Sequence, residues 1–169
     1  MNSVIRTERL TLRSMRAEDT DHIIDLLNDR VIAQNYMLPD FAAREDALPL
    51  AQRMIALSEN DGRVVVGIDL GGEIIGWIND TGIEGKSVEV GYIIDPAHHS
   101  RGYCTEALRA LIADLFARGF ERVFAGAFDH NTASLRVMEK CGMVPMDLTE
   151  ELDYRGRTHT VLYREIRKN

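Results

Sequence analysis

The sequence predicts an α/β domain: a mixed, mostly antiparallel sheet of six to seven strands flanked by helices. Three observations lead there. Short apolar or alternating runs, the mark of strands, are interleaved with stretches of helical period. Between residues 64 and 94, three strand-like runs follow one another with only glycine-bearing turns between them, which makes an antiparallel meander. Beyond them, a strand over 88–94, a helix from about 102 to 117 and a strand over 123–128 call for a right-handed parallel crossover.

The elements follow in order. Leu10, Leu12 and Ser14 alternate with Thr11 and Arg13 as a half-buried strand. Asp19-Thr20-Asp21 ahead of Ile23, Ile24, Leu26 and Leu27 predicts a capped amphipathic helix. A short helix is expected over 31–37, stopped by Pro39, and a longer one over 44–57. Strands are predicted at 64–70 and 74–79 about the Gly71-Gly72 turn, then a loop over 81–86 and the strand 88–94. After the long helix, Gly119 is placed as its cap. A strand at 123–128 and a helix at 132–140 ended by Gly142 come next, then strands at 144–152 and 158–166 joined across Tyr154-Arg155-Gly156.

The length, 169 residues, suits one domain over 1–169 with a sizeable core. The N-terminal stretch Met1 to Arg9 lacks the apolar segment of a signal peptide, and no apolar run approaches a membrane span, so a cytoplasmic protein with no membrane partner is expected. A net charge of −7 argues against nucleic acid as a partner and is compatible with an amine. Cys104 and Cys141 form no C-x-x-C pair, and reduced thiols are the expectation. No metal is expected: adjacent His98 and His99 do not converge on one ion, and no third ligand has supporting spacing. Trp77 reads as core and His130 as a loop residue.

Chemistry concentrates in the run Pro96-Ala97-His98-His99-Ser100-Arg101-Gly102-Tyr103-Cys104-Thr105-Glu106-Ala107-Leu108. Strand, glycine-bearing turn and helix start point several backbone N–H groups at one spot, where the helix dipole adds about half a positive charge. That arrangement suits a phosphate-bearing cofactor; a plain turn with Ser100 as N-cap is the alternative.

The whole pattern resembles the GNAT superfamily of acetyl-CoA-dependent N-acetyltransferases, and within it the RimJ/RimL-like branch. The resemblance rests on Thr7-Glu8-Arg9-Leu10-Thr11-Leu12-Arg13, on Glu89-Val90-Gly91-Tyr92-Ile93-Ile94 followed by Arg101-Gly102-Tyr103-Cys104-Thr105-Glu106-Ala107, and on Asn131-Thr132-Ala133-Ser134 with Glu139-Lys140-Cys141-Gly142-Met143. The chain departs from the family's phosphate motif at His99, Ser100 and Cys104. The gripping atoms there are main-chain amides, so small side chains are compatible with it.

The resemblance implies a sheet splayed at its central parallel pair and acetyl-CoA as co-substrate. Direct transfer to a primary amine such as a protein N-terminal α-amine would follow, with homodimers known in the family. It implies cofactor-binding roles for His99, Ser100, Arg101, Gly102, Tyr103, Cys104 and Thr105 on the diphosphate, for the main chain of Ile93 and Ile94 on the pantetheine, and for Asn131. Ser134 is the implied donor to the departing sulfur, and Glu89 the candidate general base. Each has a plainer alternative: Asn131 as a helix N-cap, Ser134 as a surface serine, Glu89 as a salt-bridged strand residue. Glu150, Glu151 and Asp153 form a second acidic group in the last hairpin. A small-molecule N-acetyltransferase, a non-catalytic acyl-CoA-binding module and an unrelated phosphate-binding domain stay open as alternatives.

Overall fold

A computed structural model describes residues 4–169; Met1 to Ser3, part of the N-terminal stretch read above, lie outside the described residues. The strands are β1 (Ile5–Arg6), β2 (Thr11–Arg13), β3 (Val65–Leu70), β4 (Glu73–Glu84), β5 (Ser87–Ile94), β6 (Arg122–Phe128), β7 (Val144–Tyr154) and β8 (Arg157–Arg167). The helices are α1 (Thr20–Leu27), α2 (Arg30–Asn35), α3 (Leu48–Ser58), α4 (Tyr103–Ala117) and α5 (Thr132–Lys140). The sheet order is β1-β2-β3-β4-β5-β6-β8-β7. The pair β5–β6 is parallel, whereas β1–β2, β2–β3, β3–β4, β6–β8 and β7–β8 are antiparallel. The parallel ladder covers only Ser87–Glu89 against Arg122–Phe124, and both strands run on past it. The α/β class and the mostly antiparallel sheet with one parallel pair are as the sequence predicts.

The chain divides into two compact units, one of residues up to Asn79 with Tyr92–Ala107, the other Asp80–Gly91 with Leu108–Asn169. In the first unit, α1 turns Ile23, Ile24, Leu26 and Leu27 onto a core shared with Met15, Val65, Ile74, Trp77 and Ile93. Gly76 lets β4 and β5 close up, since a Cβ there would lie 2.2 Å from the carbonyl oxygen of Ile93. Trp77 is core, as expected. In the second unit, Phe128, Val161 and Tyr163 form a core joined by Phe124, Met146, Leu152 and Tyr154. The buried side of α4 there carries Leu108, Leu111, Ile112 and Leu115, at the spacing of one helical face.

Several expectations are corrected. The described residues hold eight strands rather than six or seven; the addition is β1, whose two residues are too few to show alternation. The loop expected over 81–86 is strand as far as Glu84, followed by a two-residue turn opened by Gly85 at φ +56°, a glycine position typical of tight hairpins. Gly82 therefore sits inside a strand. The helix expected over 44–57 is a 3-10 turn, Arg44–Ala47, followed by α3. Pro49 has no N–H to continue a helix from the preceding turn and belongs in a first turn. The helix expected over 31–37 ends at Asn35, where Tyr36 becomes extended before Pro39 is reached. Asp19 does not cap α1 with its side chain; a buried cation claims it.

That cation is Arg13. It is 5% exposed and donates to Asp69 Oδ2 at 2.6 Å and to both oxygens of Asp19 at 2.8 and 3.0 Å. Arg16 N–H adds a bond to Asp19 and Gly72 N–H one to Asp69. Burial alone would raise the Asp19 carboxyl, but the Arg13 fork and the Arg16 amide hold it below its ordinary value. Arg13→Ala is expected to cost about 3–5 kcal/mol in urea denaturation at pH 7, because two buried carboxylates lose their counter-charge. Since the folded value of Asp19 is depressed, its contribution is complete above the unfolded pKa of about 3.9 and disappears as pH falls through the lower folded value. A wild-type stability that stays flat across that acid range would contradict this.

Candidate active site

In the first unit, β5 ends at Ile94 and a single 3-10 turn, Pro96–His98, capped by Asp95, leads into the run before α4. Asp95 N–H donates to Ile75 O at 2.7 Å, which ties the end of β5 to β4. Ser100 and Gly102 both take positive φ, +61° and +79°, and Arg101 between them does not. Such alternation turns successive N–H groups toward one concave side, the form of an anion-binding nest. The amides of Ser100, Arg101, Gly102 and Tyr103 donate to no acceptor among the described residues. Four donors therefore gather where the positive end of the α4 dipole lies. Ser100, in left-handed backbone, does not act as an ordinary extended N-cap.

The flanking side chains are accounted for. His99 places Nε2 2.8 Å from Ile94 O; a carbonyl only accepts, so this nitrogen carries the proton. The His99 ring is thus turned back onto the end of β5. Cys104 and Thr105 are half-buried in the first turn of α4. Arg101 is exposed, and its carbonyl accepts from Arg9. The side chains of Ile93 and Ile94 are buried.

Glu89, Asn131 and Ser134 lie in the second unit. Glu89 is half-buried on β5 beside Phe124 of β6. Burial raises its carboxyl above the ordinary range, a hydrogen bond from Thr81 offsets part of this, and the charge of Glu150 raises it further. Tyr163 completes this group: its hydroxyl donates to Glu150 Oε2 at 2.9 Å. Burial first, then that bond and the nearby charges of Glu89 and Glu150, keep the phenol protonated well above its usual range. Sequence reasoning missed Tyr163 and Thr81. The available signal was Gly126, a glycine in an apolar strand that marks a close approach: a Cβ there would sit 2.7 Å from the Tyr163 ring.

Asn131 caps α5, its Oδ1 accepting from Ser134 N–H at 3.2 Å. Ser134 is half-buried one turn along. Cys141 is buried, which pushes its thiol up to about 11 and leaves it unreactive near neutral pH. His130 is exposed and stacks on Phe128. Glu151 and Asp153 are exposed on β7. Among the described residues no three His, Cys, Asp or Glu side chains are arranged to hold a metal ion, and no helix is long and apolar enough to cross a membrane.

The profile of the acetyltransferase (GNAT) domain family matches residues 9–144, and the chain belongs to this family of N-acetyltransferases. It is 27% identical over 163 residues to the uncharacterized N-acetyltransferase YoaA of Bacillus subtilis (strain 168), covering 94% of this chain and 92% of that one. Its fold matches that of RimL, a ribosomal L7/L12 alpha-N-protein acetyltransferase solved in complex with coenzyme A, with a TM-score of 0.87, 21% identity and 98% of each chain covered. A GNAT-family acetyltransferase from Bacillus anthracis matches with a TM-score of 0.83, 23% identity and 98% of each chain covered.

Gly126→Ala is expected to displace the Tyr163 ring and cost about 1–3 kcal/mol by overpacking. Chemical denaturation checks the loss, and near-ultraviolet circular dichroism should report the changed tyrosine environment.

Proposed function

We propose that this protein transfers an acetyl group from acetyl-CoA to a primary amine, with a protein N-terminal α-amine as acceptor, by direct transfer in a ternary complex. The observation that carries this reading is the run of four unpartnered amides, Ser100 to Tyr103, in a loop of alternating φ at the start of α4. It offers the fixed donors that a diphosphate needs without spending side-chain charge. Proteins of similar fold are solved in complex with coenzyme A, or with acetyl-CoA and AMP, and another modifies the N-terminal serine of ribosomal protein L7/L12. The same reading takes residues 1–169 as one domain that acts in the cytoplasm.

When bound, acetyl-CoA supplies the acyl group as a thioester. In this reading the main-chain amides of Arg101 to Thr105, flanked by His99 and Ser100, hold its diphosphate. The main chain of Ile93 and Ile94 runs beside the pantetheine, and the Asn131 amide holds it near α5. Ser134 donates a hydrogen bond toward the departing sulfur. Glu89 takes the proton of the incoming ammonium, directly or through water. A raised carboxyl is the better base for this task, because its pKa lies closer to that of the amine. An α-ammonium, at about 7.7–8.0, gives up its proton far more readily than an alkylammonium at about 10.4, which favours an N-terminal acceptor.

Calorimetry with coenzyme A, with ADP as control, and thiol release across peptides and small amines test the reading. Tight binding of coenzyme A and turnover only with peptides bearing an unblocked N-terminus are expected; no binding, or turnover confined to small amines, would overturn it. Glu89→Gln should lower kcat about 100-fold or more. In the wild type the rate should rise with pH through the elevated Glu89 value, since only the carboxylate accepts a proton, and that limb should vanish in Glu89→Gln. Ser134→Ala should lower kcat with little change in KM for acetyl-CoA. An unchanged turnover would remove Ser134 from the mechanism.

A further inference from the structure

We infer that Arg9 is a positioning residue for the diphosphate-binding turn, orienting the Gly102 amide through Arg101 and neutralising the carboxylate in the first turn of α4. The inference rests on the acetyl-CoA reading above and adds to it a residue outside the turn itself. Arg9 lies just before β2, far from the turn in sequence, yet four contacts converge on it. Its Nη1 donates to Arg101 O at 2.9 Å, and its Nε donates to Glu106 Oε2 at 2.7 Å. Its Nη2 is 2.6 Å from the same oxygen. Its guanidinium lies over the Tyr103 ring, 4.5 Å from the centroid. Glu106 also accepts from the Arg9 backbone N–H at 2.9 Å and from the Thr7 hydroxyl at 2.6 Å. The short stretch 7–10 is itself a turn, closed by Thr7 N–H to Leu10 O and Leu10 N–H to Thr7 Oγ1. Arg9 thus comes from a fixed base.

Two consequences follow from elementary geometry and charge. The carbonyl of Arg101 and the N–H of Gly102 belong to one planar trans peptide, so they point in opposite directions. Holding Arg101 O toward Arg9 therefore aims the Gly102 N–H away from Arg9. The left-handed backbone of Ser100 and Gly102 is a costly conformation for Ser100 that surrounding contacts must maintain. Secondly, Glu106 is an anion in the first turn of α4, one helical turn from the amides that would receive a diphosphate. Burial raises its carboxyl, but the Thr7 and Arg9 hydrogen bonds prevail and keep it ionised. Left alone, it would repel the diphosphate; with Nε and Nη2 of Arg9 both on its Oε2, its charge is neutralised.

Arg9 is partly exposed and lies outside the core, so its removal should leave the fold intact. The test is calorimetry with coenzyme A and steady-state kinetics on the full chain, with thermal melting as the control for folding. Arg9→Ala is expected to weaken coenzyme A binding and raise KM for acetyl-CoA on the order of tenfold, with kcat at saturation within about twofold. Arg9→Lys, which keeps the charge but not the fork, should fall between. Arg9→Ala combined with Glu106→Gln should recover about threefold of the lost affinity, because the unpaired carboxylate is gone. A merely structural role would not produce that recovery. Unchanged affinity and KM in Arg9→Ala would overturn the inference, as would a loss of kcat alone. If Arg9→Ala fails to fold, Arg9→Lys decides by the same readout. Absence of coenzyme A binding by the wild-type protein would overturn the acetyl-CoA reading and this inference with it. Binding by the wild type with no effect of either variant would overturn this inference alone.

Discussion

A strand that ends at Ile94 and a helix that begins at Tyr103 are joined by a turn in which the amides of Ser100 to Tyr103 face no acceptor among the described residues. That constraint shapes the first unit. Unpaired backbone donors are tolerable only in water or against an anion, so the turn has to stay open while everything around it is fixed. The fixing is visible. Asp95 is bonded to Ile75, His99 to Ile94, and Arg101 to Arg9. The Gly76 gap lets β4 lie directly against Ile93. These bonds hold the flanks of the turn and leave the amides of Ser100 to Tyr103 without an acceptor among the described residues.

The same unit contains a second polar arrangement, and the contrast with the first is instructive. Arg13, Asp19 and Asp69 are almost wholly buried and bonded to one another. Such a cluster adds little net stability over apolar packing, but it is intolerant of losing a member. It joins β2, β3 and the turn before α1, so it specifies how these pieces meet. Asp19 could have served as a helix cap. The buried guanidinium offers two bonds from a charged donor, whereas the amides at the start of α1 are neutral donors.

In the second unit the acidic residues have divided by environment. Glu89 is half-buried with Thr81 as its donor, and Glu150 takes the Tyr163 hydroxyl. Burial, with the charge of Glu150 nearby, leaves the Glu89 carboxyl easier to protonate than one on the open surface. Glycine at 126 makes the arrangement sterically feasible by leaving room for the Tyr163 ring.

Much of this was legible in the sequence. Helical and strand periods over 10–14, 64–79, 88–94 and 103–140 follow from local alternation, and the turns at Gly71-Gly72 and Arg155-Gly156 from their need for positive φ. The strand-turn-helix run around Gly102 was recognisable because its chemistry lies in the backbone and in residue size. Other features depend on distant partners. No local signal tells that Arg9 meets Glu106, that Tyr163 reaches Glu150, or that Asp19 abandons its cap for Arg13. Pro49 did carry a local signal, since it places the start of α3. The sequence by itself determined which segments are helix or strand and where bare amides collect, because these follow from local backbone preferences. Only the tertiary structure decided which charges are paired and which carboxyl is raised, because burial and long-range contact exist only once the chain has folded.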